Sequence, residues 1–138
     1  MKIMRLVLVA AGVFAAVGTA GAADEEGGGG KSIAGAMMRL SPDERAEQRC
    51  NARALGIVGR EHKEFHPDEM AAYAFADTAI VNGKVTAPGA AFRSKGVWHR
   101  LSYVCQTTDE GMAIQSFSYK LGAPVPRAEW AAHNLTPP

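Results

Sequence analysis

The amino-acid sequence predicts an α+β domain, in which an N-terminal helix packs on an antiparallel sheet of four or five strands, a short C-terminal helix follows, and one disulfide links the parts. One stretch repeats its apolar residues at helical spacing, and several later stretches alternate apolar and polar residues as half-buried strands do. The two cysteines lie in the helical stretch and in one strand. A helix followed by consecutive strands is the element order of an α+β fold.

The predicted helix runs from about Pro42 to Ile57. Ser41 is a favourable N-cap, Pro42 suits the first helical position, and Glu44 completes a capping box three residues after the cap. Small and apolar side chains recur along one face of this helix. The same spacing places Cys50 on the buried stripe.

The helical period ends at Met70, where strand patterns begin. Residues 70–81 are typical of one strand or two short ones, and Asn82-Gly83 is a pair favoured in two-residue hairpin turns. Residues 84–87 then form the returning strand, and Pro88-Gly89 predicts a second turn.

The longest alternating stretch precedes the second cysteine. Its inner face is predicted to carry Val97, His99, Leu101, Tyr103 and Cys105. Trp98 and Arg100 then point to the opposite side of the sheet. In the next strand, Phe117 and Tyr119 are predicted at the core or its edge, and near the C-terminus Trp130 is expected to pack back onto the domain.

The N-terminus has the three parts of a secretory signal peptide. Lys2 and Arg5 precede an uncharged apolar run over residues 6–18, and small residues follow it. The apolar run would rise only about 20 Å as a helix, short of the roughly 30 Å hydrocarbon core of a bilayer. We therefore predict a signal peptide over residues 1–23, export to the periplasm or the exterior, and no stable membrane span after cleavage.

Residues 24–35 contain four consecutive glycines and predict a flexible leader, and the domain is expected over residues 36–138. The chain has 15 Lys and Arg and 14 Asp and Glu, and loss of Lys2 and Arg5 with the signal peptide changes the net charge from +1 to about −1. A near-neutral domain gives no electrostatic reason to expect nucleic acid as a partner. The sequence also contains no motif for a cofactor, so none is predicted.

Cys50 and Cys105 are the only cysteines. A pair of cysteines in one small exported domain usually forms a disulfide. The alternative is a reactive cysteine with His99 or His62 as its base, which requires a free thiolate. No motif places a base beside either cysteine, and the disulfide is the favoured interpretation.

His62 and His66 are four residues apart and would share one face if the segment were helical, as a divalent metal site requires. Pro67, however, disfavours helical geometry at His66. A solvated connector is therefore the favoured interpretation, and no metal site is predicted.

Three blocks of the sequence resemble a known family: SPDERAEQRCNARALGIV, AAYAFADTAIVNGKVTAPGAAFRSKGVWHRLSYVCQ and SFSYKLGAPVPRAEW. They are similar to domain-of-unknown-function family 930, whose members are small exported proteins, mostly of alphaproteobacteria. The resemblance covers roughly Leu40 to Leu135. It implies an envelope or periplasmic domain with a Cys50–Cys105 pair, and it brings no activity or catalytic residues with it.

The candidate ligand-binding residues are Arg93, Lys95, Trp98 and Arg100, which lie within eight positions of one another. Arginine beside an aromatic ring is typical of interaction hot spots and of sites that hold carboxylates or phosphates. This favours a non-enzymatic module that binds an envelope protein or an anionic envelope component. The alternative is a basic turn whose tryptophan packs into the core.

A second function class remains open from the sequence alone. Asp77 ends an apolar stretch, where burial would raise the pKa of its carboxyl group and suit general acid chemistry. Asp77 or His99, in a cleft beside the basic patch, could then serve a small periplasmic enzyme. The alternative for Asp77 is a turn-capping role.

Overall fold

The computed structural model describes residues 33–138, so the predicted signal peptide and residues 24–32 of the predicted leader lie outside the described residues. Residues 33–37 are helical, and the main helix α1 spans Pro42–Glu61. The strands are β1 (Pro67–Ala71), β2 (Ala79–Val81), β3 (Lys84–Ser94), β4 (Val97–Thr107) and β5 (Ile114–Pro124), followed by 3₁₀ turns at Arg127–Glu129 and Ala131–His133. The α+β class is confirmed, and the predicted C-terminal helix is this pair of 3₁₀ turns.

The five strands form one antiparallel sheet. β3, β4 and β5 follow one another as a meander, and β1 and β2 both pair with the remaining edge of β3. The predicted hairpin turn at Asn82-Gly83 is confirmed, since both residues have positive φ, at 49° and 74°. A similar pair, Lys95-Gly96, reverses the chain between β3 and β4 with φ of 50° and 77°.

The predicted turn at Pro88-Gly89 is wrong, because β3 continues through both residues. The pairing of β3 with β4 changes register between Ala87 and Ala90, which marks a bulge. A bulge tolerates proline because the missing N–H removes no regular ladder bond. Pro88-Gly89 therefore does mark an irregularity of the backbone, but it is a bulge within β3 and not a reversal of the chain.

The helix begins as predicted. The Ser41 side chain accepts a hydrogen bond from the backbone N–H of Glu44, and the Glu44 carboxylate accepts one from the N–H of Ser41. The helix packs one stripe on the inner face of the sheet, where Cys50 and Cys105 form the predicted disulfide. The inner core includes Leu101 and Tyr103, as expected.

A second apolar cluster lies on the outer face, the side of the sheet away from α1. Here the C-terminal segment folds back, and Val125, Trp130 and Leu135 bury Trp98. This confirms that Trp98 faces away from the disulfide and that Trp130 anchors the C-terminus. Within residues 33–138, no helix is both long enough and apolar enough to span a bilayer.

Candidate anion-binding site

The sheet gives each of the four candidate residues a different environment. Arg93, Trp98 and Arg100 lie on the outer face of β3 and β4, with Arg93 directly opposite Trp98. Lys95 lies in the turn between the two strands and is exposed. The structure thus brings three of the four residues to one face, and each of the three makes different contacts there.

Arg93 is held by carboxylates of β1. Its Nε and Nη2 donate to the two carboxylate oxygens of Asp68 at 3.0 and 3.3 Å, and its Nη1 lies 2.7 Å from Oε2 of Glu69. The hydrogen bonds to Asp68 raise the pKa of Arg93. Only 14% of this side chain is exposed. Its charge is therefore already balanced within the protein, and it ties β1 to β3.

Trp98 is a core residue with 1% of its surface exposed. Its indole N–H donates to the carbonyl oxygen of Thr136 at 2.8 Å. A buried ring with a satisfied N–H is the arrangement expected of a structural tryptophan. The interpretation of Trp98 as packing, left open by the sequence, is the one that the structure favours.

Arg100 has a different environment, since its side chain is 46% exposed. Its guanidinium carbon lies 3.6 Å from the centre of the Phe75 ring, and the Glu129 carboxylate is 3.8 Å from Nη2. The ring holds the planar guanidinium in place by stacking. Arg100 therefore presents an oriented cation to solvent.

A cleft of about 300 Å³ lies beside Arg100. Its lining residues come from the β1–β2 loop, β3, β4 and β5: Phe75, Ala76, Pro88, Gly89, Ala90, Arg100, Leu101, Ser102, Lys120, Leu121 and Gly122. Among the residues that the structure describes, two cations and no carboxylate line it. A neighbouring cleft of about 320 Å³ shares Pro88, Ser102 and Lys120 with it, so the concave surface continues across the sheet.

Lys120 is the residue of this site that the sequence interpretation missed. It lies opposite Ser102 on β5, next to Arg100 on the same face. The alternation of residues in β5 places Lys120 on the outer face, and this pattern is the sequence signal that could have indicated it. Its proximity to Arg100 depends on the register between β4 and β5, and no local pattern gives that register.

Two glycines shape the cleft. A Cβ on Gly89 would lie 2.2 Å from the backbone nitrogen of Ala76, and one on Gly122 would lie 2.7 Å from Cβ of Arg100. Glycine at these positions lets the β1–β2 loop approach β3 and leaves room for the Arg100 side chain to cross β5. The cleft is therefore built into the backbone packing.

A family model described as Domain of Unknown Function (DUF930) matches residues 37–135. The chain belongs to this family. The resemblance drawn from the sequence is confirmed. Comparisons with curated proteins and with solved structures give no match.

In this DUF930 domain, Asp77 and His99 lie in different environments. Asp77 is exposed on the β1–β2 loop. His99 is on the inner face, where it stacks on Phe92 at 5.2 Å between ring centres and meets Phe65 edge-on at 4.8 Å. Burial lowers the pKa of His99. Neither Asp77 nor His99 lines the Arg100–Lys120 cleft.

The pKa of His99 predicts a pH response of the DUF930 domain. Because burial lowers this pKa below the ordinary 6.5, the unfolded chain binds the proton more readily than the folded one. Protonation then favours unfolding, and stability falls as the pH drops below about 6.5. Between about pH 7.5 and pH 5, the melting temperature should fall less in His99→Phe, which keeps an aromatic ring, than in the wild type. A His66→Gln control should respond like the wild type, and an equal fall in His99→Phe would contradict the prediction.

His62 and His66 do not share a helical face. The helix ends at Glu61, and His62 is its extended C-cap. The Nε2 atom of His62 lies 3.0 Å from the Tyr119 hydroxyl, which also donates to Glu61. The bond to Glu61 raises the pKa of Tyr119 to about 12. His62 thus ties the end of α1 to β5.

Proposed function

We propose that this DUF930 domain is an exported, non-enzymatic binding module that recognises an anionic group of an envelope component or of a partner protein. The single observation that carries the proposal is the Arg100–Lys120 cleft, which two cations and no carboxylate of residues 33–138 line. Guanidinium and ammonium groups bind carboxylates and phosphates through charge-assisted hydrogen bonds. Of the four candidate residues predicted from the sequence, the proposed site keeps Arg100 alone. Lys120 is added to it.

The contacts of Arg100 support this assignment. Stacking on Phe75 fixes the guanidinium before any ligand arrives, so less side-chain entropy is lost on binding. Its nearest carboxylate, Glu129, is 3.8 Å away, which is a weak and partly exposed pair. Arg93, by contrast, is saturated by Asp68 and Glu69. An anion can therefore compete for Arg100 at lower cost than for Arg93.

Export is supported by two features. Residues 1–23 have the composition of a signal peptide. The Cys50–Cys105 disulfide is of the kind that persists in oxidising compartments such as the periplasm. The proposal therefore places the binding face in the envelope or outside the cell.

The test is binding of the folded domain to vesicles of phosphatidylglycerol and to an immobilised polyuronic acid, with vesicles of phosphatidylcholine as the neutral reference. Arg100→Gln with Lys120→Gln should weaken binding to the anionic probe at least tenfold. The charge-matched control, Arg39→Gln with Lys63→Gln, changes two exposed cations elsewhere and should bind like the wild type. Equal affinity of the cleft variant and the control, or no binding to either anionic probe, would reject the proposal.

A further inference from the structure

A row of arginines follows one side of α1. Arg49, Arg53 and Arg60 are spaced by four and seven residues, which places them on one helical face. Together with Ala52, Gly56 and Ile114 they line a cleft of about 300 Å³ between the helix and the start of β5. Within the described range, 33–138, no carboxylate lines this arginine cleft.

The three guanidinium groups have no ion-pair partner in the described part of the chain. None of them forms an ion pair or a hydrogen bond to another side chain within residues 33–138. In the same range, Nε of Arg49 is buried and has no hydrogen-bond partner. A buried donor without a partner costs free energy, because it has lost its water and gained nothing in return.

The neighbouring arginine of the same helix shows the contrast. Arg45, one turn before Arg49, donates from Nε to the carbonyl oxygen of Glu110 at 2.8 Å and from Nη1 to that of Leu40 at 2.9 Å. Arg45, which holds the β4–β5 loop, thus has acceptors for its guanidinium donors. The next three arginines of the row form no such hydrogen bond within residues 33–138. A uniform structural role for the whole row does not explain this difference.

Gly56 brings the third arginine toward the other two. A Cβ on Gly56 would lie 3.1 Å from Nη1 of Arg60, so the Arg60 guanidinium rests on the helix backbone at this glycine. That position is one turn back along the helix, on the side of Arg53. The favourable helix dipole at the C-terminal turn accounts for Arg60 alone, and it does not explain the unpaired Arg49 and Arg53.

We propose that the arginine cleft of α1 is a phosphate-binding site. The three guanidinium groups that line this cleft offer more donors than the two oxygens of a carboxylate accept, whereas a dianionic phosphate carries enough charge and enough oxygens to engage all three. The site shares no residue with the Arg100–Lys120 cleft, so it stands independently of the function proposed above.

The first test is thermal unfolding of the intact domain with inorganic phosphate, against sodium chloride at the same ionic strength. Phosphate should raise the melting temperature of the wild type, because a ligand that binds the folded state stabilises it. Arg53→Gln with Arg60→Gln should lose that rise, and both Arg39→Gln with Lys63→Gln and Arg100→Gln with Lys120→Gln should keep it. An equal rise in the Arg53/Arg60 variant, or none in the wild type, would overturn the proposal.

A second readout separates binding from a structural role. Without phosphate and at low salt, Arg53→Gln alone, which leaves the dipole-stabilised Arg60 in place, should melt at or above the wild-type temperature, since it removes a like charge at little cost in helix propensity. A lower melting temperature would show that the arginines stabilise the fold, which would contradict the proposal.

Two arms then distinguish the source of the phosphate. Vesicles containing phosphatidic acid present the phosphate as a lipid headgroup, and glycerol phosphate presents it free in solution. Binding that depends on Arg53 and Arg60 in either arm supports the site and names its source, and binding in neither arm overturns the proposal.

Discussion

Replacement of both cysteines, Cys50→Ala with Cys105→Ala, is expected to lower the free energy of unfolding by about 4 kcal/mol. The disulfide joins residues 55 positions apart, and the loss of loop-closure entropy in the unfolded chain gives this magnitude. Both side chains are fully buried between α1 and β4, so their truncation also removes packing. Unfolding in guanidinium chloride measures the change directly.

Reduction provides the matched control for this prediction. The wild type, unfolded in denaturant with a thiol reductant present, should approach the stability of the double variant, because both lack the covalent link. Against a typical total of about 5–15 kcal/mol, this loss could leave the domain only marginally folded. A change below about 1 kcal/mol in the double variant would show that the link contributes little to this fold.

The disulfide also shows what local patterns can predict. Cys50 lies on a helical stripe and Cys105 on an alternating strand, and both periods are readable over a few residues. The capping box at Ser41 and the turn at Asn82-Gly83 are equally local. The positions of the cysteines in their elements, the cap and the turn are confirmed because each depends on neighbours in sequence, and the pairing of the two cysteines follows from the presence of only two.

The errors concern pairings between distant segments. Pro88-Gly89 has turn composition, yet the ladder with β4 extends past it, so the proline lies in a bulge. Arg93 looks like a free cation in sequence, and only the pairing of β1 with β3 brings Asp68 and Glu69 to it. Composition therefore predicts that the candidate site contains arginine and an aromatic ring. The pairing of the strands decides which arginine has no strong ion pair and can bind a ligand.

The same reasoning explains why the sequence interpretation missed Lys120 and the arginine cleft of α1. Lys120 becomes part of a site only when β5 pairs with β4. In the helix, Arg49 and Arg53 lie off the buried stripe, so the helical period alone does not mark them as part of a site. The cleft that they line requires Ile114 of β5 as its far wall, and this contact lies more than 50 residues away in sequence.

Trp98→Ala is expected to cost about 3–5 kcal/mol of stability, which is the range for truncation of a buried large aromatic side chain. Trp98 is 1% exposed and packs with Val125, Trp130 and Leu135, so its loss leaves a cavity under the C-terminal segment. The carbonyl oxygen of Thr136 also loses its donor. Denaturant unfolding of the variant measures the loss.

Two controls identify the cause of that loss. Trp98→Phe keeps an aromatic ring and removes the indole N–H, so it should lose less stability than Trp98→Ala. Tyr73→Ala removes an aromatic ring that is 69% exposed and should stay within about 0.5 kcal/mol of the wild type. If Trp98 were instead a ligand-binding residue, Trp98→Ala would unfold like the wild type and fail only in binding. The burial of Trp98 beneath the C-terminal segment predicts the opposite, because a ring that anchors that segment cannot be removed without loosening it.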